Sequence, residues 1–458
     1  MKKYIGDRKF YKMVLAIAVP IIIQNGITNF VSLLDNIMVG RIGTEEMSGV
    51  AIVNQLIFVF NVSIFGAISG ASIFGAQFFG NKNYKGMRDS YRFKFISVLL
   101  VTFISAFIFV IFGRNLISLY LHKGSTTGDI AKTLLFGEKY LRVMLWGLLP
   151  FAINQAYTSS LREMGQTLLP MASGLVAVLV NLAFNYVLIF GKLGFPVLGV
   201  EGAAIATVIS RYVELSITVL WTHINSRDIP FIRGAYKTFR ISKELTGKIL
   251  LKGLPLMANE FFWSGGMATL TQCYSVRGLA VIGGLNIAST ISNVFNVVFI
   301  ALGGSISVIV GQLLGAGKME EARDTDRKLI FFSVSMCVII GLIMASLSSI
   351  FPSIYNTTRE VKELASSFIL IVSLCMPLHA FMHATYFTLR SGGKTLITFL
   401  FDSGYVWLFN IPLAFILTRY TSLNILVIYL SCQLIEIIKC IIGYVLVKKG
   451  VWLQNIVE

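Results

Sequence analysis

Long apolar runs separated by short polar stretches follow one another along the whole chain. Runs that reach the ~20 residues a membrane-spanning helix needs lie near 13–39, 51–79, 95–113, 136–160, 168–190 and 201–224. They recur near 249–274, 280–315, 329–350, 364–389, 396–417 and 423–447. The pattern predicts an all-α membrane protein of twelve transmembrane helices with short loops. Lys and Arg concentrate in alternate loops, beginning with Lys2, Lys3, Arg8, Lys9 and Lys12. That bias puts both termini in the cytoplasm. The first run is too long for a signal-peptide core and no A-x-A cleavage motif follows it, so it counts as the first helix.

The polar landmarks repeat. Sliding the chain so that Leu15–Arg92 lies on Leu250–Arg327 needs no gap, and it brings Pro20 onto Pro255, Gly43 onto Gly278 and Gly49 onto Gly284. Gln77 and Gly80 meet Gln312 and Gly315, while Arg88, Asp89 and Arg92 meet Arg323, Asp324 and Arg327. Further on, Leu161–Arg162 and Gly165 match Leu389–Arg390 and Gly393 at a slightly shorter offset. Apolar helices align by chance; matched Pro, Gly and charged positions do not. Six spans per half is an even number, so both halves enter from the same face, as parallel repeats about an axis along the membrane normal. The expected division is an N-lobe over 1–224, a basic cytoplasmic connector over 225–248 and a C-lobe over 249–458. The connector bases Arg227, Arg233, Lys237, Arg240, Lys243 and Lys248 suit topology and contact with anionic lipid.

Composition narrows the class. Of 458 residues, 55% are apolar and 13% charged, with a mean hydropathy of +0.76, which excludes an ordinary soluble domain. The net charge of +17 is spread over short loop clusters, so it does not mark a nucleic-acid surface. Cys273, Cys337, Cys375, Cys432 and Cys440 lie in or beside apolar segments without C-x-x-C spacing, and read as reduced core thiols. No Walker motif and no HExxH occurs, and the G-x-x-G combinations lie inside spans. His379 and His383 are four apart but lack a third ligand, so no metal and no cofactor is expected. An enzyme would need paired Asp-rich motifs or a metal cluster, and neither is found.

Charges inside the spans carry the remaining information, because a lone carboxylate at the bilayer centre costs about 2.5–3.5 kcal/mol on insertion scales. Glu138 has Arg142 four residues on, Glu214 has Arg211 three before, and Glu436 has Lys439 three after. Each of those acids can be neutralised on its own helix face. Asp35, Glu260 and Asp402 have no such neighbour. Glu260 lies ~16 Å into the seventh helix, near the midplane of a ~30 Å core; Asp402 lies ~10 Å into the eleventh. The repeat counterpart of Glu260 is Asn25, and that of Asp35 is Leu270. Such acids are either satisfied across helices by Asn, Ser or Tyr, or they exchange a proton or ion for a cationic guest. Gln24 and Asn25, Trp263 one turn after Glu260, and Tyr405 one turn after Asp402 would suit the walls of a cavity for flat cations. Pro20 and Pro255 are expected to kink the first and seventh helices.

The chain resembles the multidrug and toxic compound extrusion (MATE) family. The resemblance rests on LLDNIMVGRIG at 33–43, on GAQFFGNKNYKGMRDSYR at 75–92 with its twin VGQLLGAGKMEEARDTDR at 310–327, and on LREMGQTLLP at 161–170, NLAFNYVLIFG at 181–191 and GVEGAAIATVISR at 199–211. It implies two six-helix bundles forming a V around a central cavity. It also implies a multi-pass protein of the plasma (inner) membrane, expected as a monomer, that exports organic cations against entry of H⁺ or Na⁺. A first-lobe cation site in some members carries over onto Asp35, Asn181, Asn185 and Thr207, with Asn185 standing where those members have a second aspartate. One carboxylate in place of two leaves less charge for bare sodium and no acid pair to share a proton. The alternative from the same superfamily is a flippase for lipid-linked or other anionic cargo. That would favour a cavity lined by several bases, whereas the unpaired interior charge here is acidic, Lys252 and Arg142 being the exceptions.

Overall fold

The structure, a computed structural model, describes residues 4–40, 42–121 and 129–458, leaving out the side chains of 31–37 and of Thr44. Among the described residues the chain is built of long helices. The first half holds α1 (Arg8–Gly40), α2 (Thr44–Gly80), α3 (Tyr84–Ser118), α4 (Ile130–Glu163), α5 (Leu168–Phe190) and α6 (Gly199–Ile224). The second half holds α7 (Lys243–Ser275), α8 (Leu279–Gly315), α9 (Met319–Ser346), α10 (Arg359–Ser391), α11 (Thr395–Tyr420) and α12 (Ile425–Lys449). Ten of these have stretches long and apolar enough to cross a membrane. The other two are α4 and α7, whose apolar runs are broken by Asn154 and Gln155 in one and by Asn259 and Glu260 in the other. The helices that look least like spans carry the polar chemistry.

The boundaries follow local chemistry. Asp129 caps α4 by accepting from the amides of Ala131 and Lys132, and Thr358 caps α10 through the amide of Val361. Just beyond those two helices, Gly165 and Gly393 take left-handed φ of 80° and 69°. Lys82 adopts the same region at φ 56°, where its repeat counterpart is Gly317 at 72°. Helix α11 is relaxed to wide π-type turns over Leu400–Gly404 and Val406–Asn410. Pro412 follows directly, and its missing N–H leaves a carbonyl one turn earlier without its helical donor.

Two compact units result. One contains residues 1–22, 76–83 and 250–458; the other contains 23–75 and 84–249. In the first, Val14, Ile17, Ala18 and Ile21 of α1 pack with Ala301, Leu302, Ile306 and Ile309 of α8 in a shared core. The ends of α2 and α8 meet there reciprocally. A Cβ on Gly80 would strike the carbonyl of Gln312, and one on Gly315 would strike the carbonyl of Gln77. Matched glycines thus allow two backbones to touch. The buried Gln77 donates to the carbonyls of Ser391 (2.9 Å) and Gln454 (3.2 Å) and accepts from the amide of Ile456 (2.9 Å). In the second unit α4 packs on α3 and α6, and α5 on α6.

Candidate functional site

The polar layer of the first unit starts from Asn259 and Glu260 on α7. Asn259 is buried; its Nδ2 donates to Asp402 Oδ2 (3.1 Å) and its Oδ1 accepts from the Ser403 amide (3.2 Å). The wide turn of α11 presents Asp402 and Ser403 together to α7. The other carboxylate oxygen of Asp402 lies 3.0 Å from Lys439 Nζ on α12, with side-chain exposures of 20% and 6%. The Lys439 ammonium also sits over the rings of Phe401 (5.2 Å) and Tyr405 (5.9 Å). Glu260 is half-buried and, among the described residues, makes no hydrogen bond and no ion pair. The charged groups near enough to act on it are Arg390 of α10 and Asp402.

The second unit has a counterpart layer. Arg162 Nη2 donates to Gln24 Oε1 (2.7 Å), and Glu214, which pairs with Arg211 at 3.2 Å, lies near enough to act on Arg162. Arg162 is the repeat counterpart of Arg390, and each lies near a polar residue of its unit's first repeat helix, Arg162 by Gln24 and Arg390 by Glu260. The layers diverge at one matched position, where the second unit has Asn25 and the first has Glu260. Asn181 Nδ2 donates to Thr207 Oγ1 (3.2 Å) and Asn185 Nδ2 to Asn181 Oδ1 (3.1 Å), which joins α5 to α6. Asp35 lies outside the described residues. A separate buried pair, Lys94 with Glu163 at 2.6 Å, is steadied by Ser160 (2.8 Å from Nζ) and Ser159 (2.9 Å from the same carboxylate oxygen).

Several expectations need correction. The spacing matches Lys439 with Glu436, but Lys439 ion-pairs across the helices with Asp402 of α11. Glu436 instead accepts from Asn410 Nδ2. Glu138 pairs with Arg114 at 3.4 Å rather than with Arg142. Further buried bases are present, Arg92, Lys94 and Lys439, but each is paired with an acid, Asp89, Glu163 and Asp402. Tyr405 is buried and spends its hydroxyl on the carbonyl of Ile435 (2.6 Å), so it presents no open wall. Trp263 is 42% exposed, while Gln24 and Asn25 are half-buried. His379 is held by Gln433 (3.0 Å), and His383 lies against Phe299.

The MatE family model matches this chain twice, over residues 20–187 and 255–416, one match in each repeat. The chain belongs to the MatE family. A probable multidrug resistance protein NorM of Thermotoga maritima is 24% identical over 415 residues, covering 91% of this chain and 87% of that one. The probable multidrug resistance protein YoeA of Bacillus subtilis is 23% identical, covering 90% and 88%. Among solved structures, an outward-facing multidrug resistance MATE transporter of the MOP superfamily superposes with a TM-score of 0.83 at 18% identity, covering 98% and 97% of the two chains. A MOP superfamily transporter from Pyrococcus furiosus, described as having a binding pocket of reverse polarity, gives 0.81 at 19% identity, with the same coverage. This MatE chain is therefore a multi-pass membrane transporter of the twelve-helix fold, and not an enzyme.

Proposed function

We propose that this transporter exports amphipathic organic cations by antiport with H⁺ or Na⁺, with Glu260 as the principal exchanging acid. One observation carries the reading: in the layer formed by Asn259, Asp402, Lys439 and Arg390, Glu260 is the carboxylate left without a bonded partner. With no fixed partner to hold it, this carboxylate is the group of the layer available to take a proton and a cationic guest in turn. Trp263 offers an exposed ring one turn away, suited to a flat cation. Asp35, Asn181, Asn185 and Thr207 form the proposed second cation site, of lower charge than a two-carboxylate one. The basic loops support a plasma-membrane protein with both termini in the cytoplasm, and the proposed transporting unit is the monomer.

Anionic or lipid-linked cargo is the second reading, favoured by the buried bases. Against it, Lys94 is taken by Glu163, Lys439 by Asp402, and Arg162 by Gln24. The test is transport of a cationic dye in proteoliposomes under separately imposed pH and sodium gradients. Glu260→Gln should abolish gradient-driven accumulation while leaving a folded protein. Undiminished coupled transport in that variant would remove the mechanism.

A further inference from the structure

The segment following α6 is pinned to the second unit rather than draped over it. Arg92 of α3 donates from Nε to the carbonyl of Ala235 (2.8 Å) and from Nη2 to that of Gly234 (2.9 Å), while Asp89 holds Nη1 at 2.8 Å. Tyr236 joins a hydroxyl cluster with Tyr91 (2.6 Å) and Tyr157, and Tyr157 reaches His223 Nε2 (3.1 Å). Ile229, Phe231, Ile232 and Ala235 are buried beneath. Gly234 turns the chain at a left-handed φ of 74°, a conformation glycine adopts without steric cost.

This anchoring leaves an open surface cavity of about 460 Å³ whose lining includes His223, Ser226, Arg233, Tyr236 and Lys237. Its charged lining is Arg233 and Lys237, with no acid. Beside it, Leu220, Ile224 and Phe239 are exposed apolar side chains, so basic groups and apolar surface adjoin as they do at a bilayer interface. We propose that this cavity is a binding site for a phosphate group, and that the phosphate is carried by the headgroup of an anionic phospholipid in the leaflet that the connector faces. Arg233, whose Nη2 donates to the carbonyl of Arg227 (3.1 Å), supplies the remaining donors of its guanidinium and Lys237 a mobile point charge, the two kinds of base that hold a phosphate. The exposed Leu220, Ile224 and Phe239 lie where the acyl chains would run.

The test is native mass spectrometry of the full chain released from micelles containing phosphatidylglycerol, beside tests with phosphatidylcholine and with inorganic phosphate. One phosphatidylglycerol should be retained in preference to phosphatidylcholine. A direct charge-assisted contact to a phosphate contributes roughly tenfold in affinity, so R233Q/K237Q should weaken retention about 30-fold or more. The variant R227Q/R240Q removes the same charge outside the cavity lining and should change retention less than fivefold. Equal loss in the two variants, or none in either, would overturn the site. Binding of inorganic phosphate that R233Q/K237Q abolishes, without lipid retention, would overturn the lipid as its source.

Discussion

Removing Lys439 tests the polar layer of the first unit directly. In Lys439→Met the Asp402 carboxylate keeps Asn259 but loses the ammonium 3.0 Å away. Breaking a buried pair from one side costs about 3–5 kcal/mol, whereas replacing both partners by apolar or neutral groups is often neutral or stabilising. With Asp402 20% exposed, the lower end applies, about 3 kcal/mol. Asp402→Asn should cost less, because Lys439 keeps the rings of Phe401 and Tyr405, each contributing roughly 0.5–2 kcal/mol. The double variant should recover most of the loss, leaving a coupling energy of about 2 kcal/mol or more. Cys273, Cys337, Cys375 and Cys432 are buried thiols, so a thiol-reactive dye reports unfolding in detergent. At roughly 2–4 °C per kcal/mol for a unit of this size, Lys439→Met should melt about 6–12 °C early and the double variant within a few degrees of the parent. If the double variant loses the sum of the two single shifts, the pair is a coincidence of placement.

Further outcomes follow from particular contacts. The Asp402→Asn/Lys439→Met protein should still drive dye uptake with a pH gradient, since Glu260 is untouched; loss of coupling there would move the exchanging role to Asp402. Gly315→Leu should prevent accumulation of folded protein, measured by monodisperse yield, because even a Cβ would meet the Gln77 carbonyl. Lys82→Gly should leave thermal stability unchanged or raise it by the equivalent of up to ~1 kcal/mol, since it relieves a left-handed backbone at a residue with a Cβ. Asn185→Asp, beside Asn181 (3.1 Å), should raise the response of dye transport to sodium relative to pH, because an added carboxylate favours a bare cation.

The helices were legible because length and apolarity decide membrane spans, and the repeats were legible because Pro, Gly and Arg landmarks fall in one register. The partner of Asp402 was not. Lys439 lies three residues from Glu436 on the same helix, and the local rule pairs those two; the contact that forms instead crosses from α11 to α12. The π-type widening of α11 is written only in Pro412, a weak signal on its own. The arginine layer did leave a trace. Gln24 aligns with Asn259 in the register that aligns Pro20 with Pro255, and Arg162 aligns with Arg390, so the polar residues of the two layers occupy matched positions in the sequence. Lys94 and Glu163 left none, since their repeat counterparts are Leu329 and Ser391.

Under the proposed antiport, the divergence at Asn25 and Glu260 sets the electrostatics of exchange. With Glu260 ionised, the first unit's layer sums to zero: Glu260 and Asp402 against Arg390 and Lys439. Protonating Glu260 leaves that layer at +1, which repels a cationic guest rather than merely ceasing to attract it. On the proposed antiport, release on protonation is driven by fixed positive charge, and a layer without Arg390 should release less sharply. The same sum limits affinity, because an ionised layer of zero net charge holds a monovalent cation only through direct contact with the Glu260 carboxylate and the exposed Trp263 ring. Weak, contact-dependent holding of that kind suits a carrier of many different cations better than a receptor for one. The counterpart layer has a neutral amide at Asn25, Arg162 held by Gln24, and its acid Glu214 already paired with Arg211, so on the proposed antiport exchange through that unit falls to Asp35 and the Asn181–Asn185–Thr207 group.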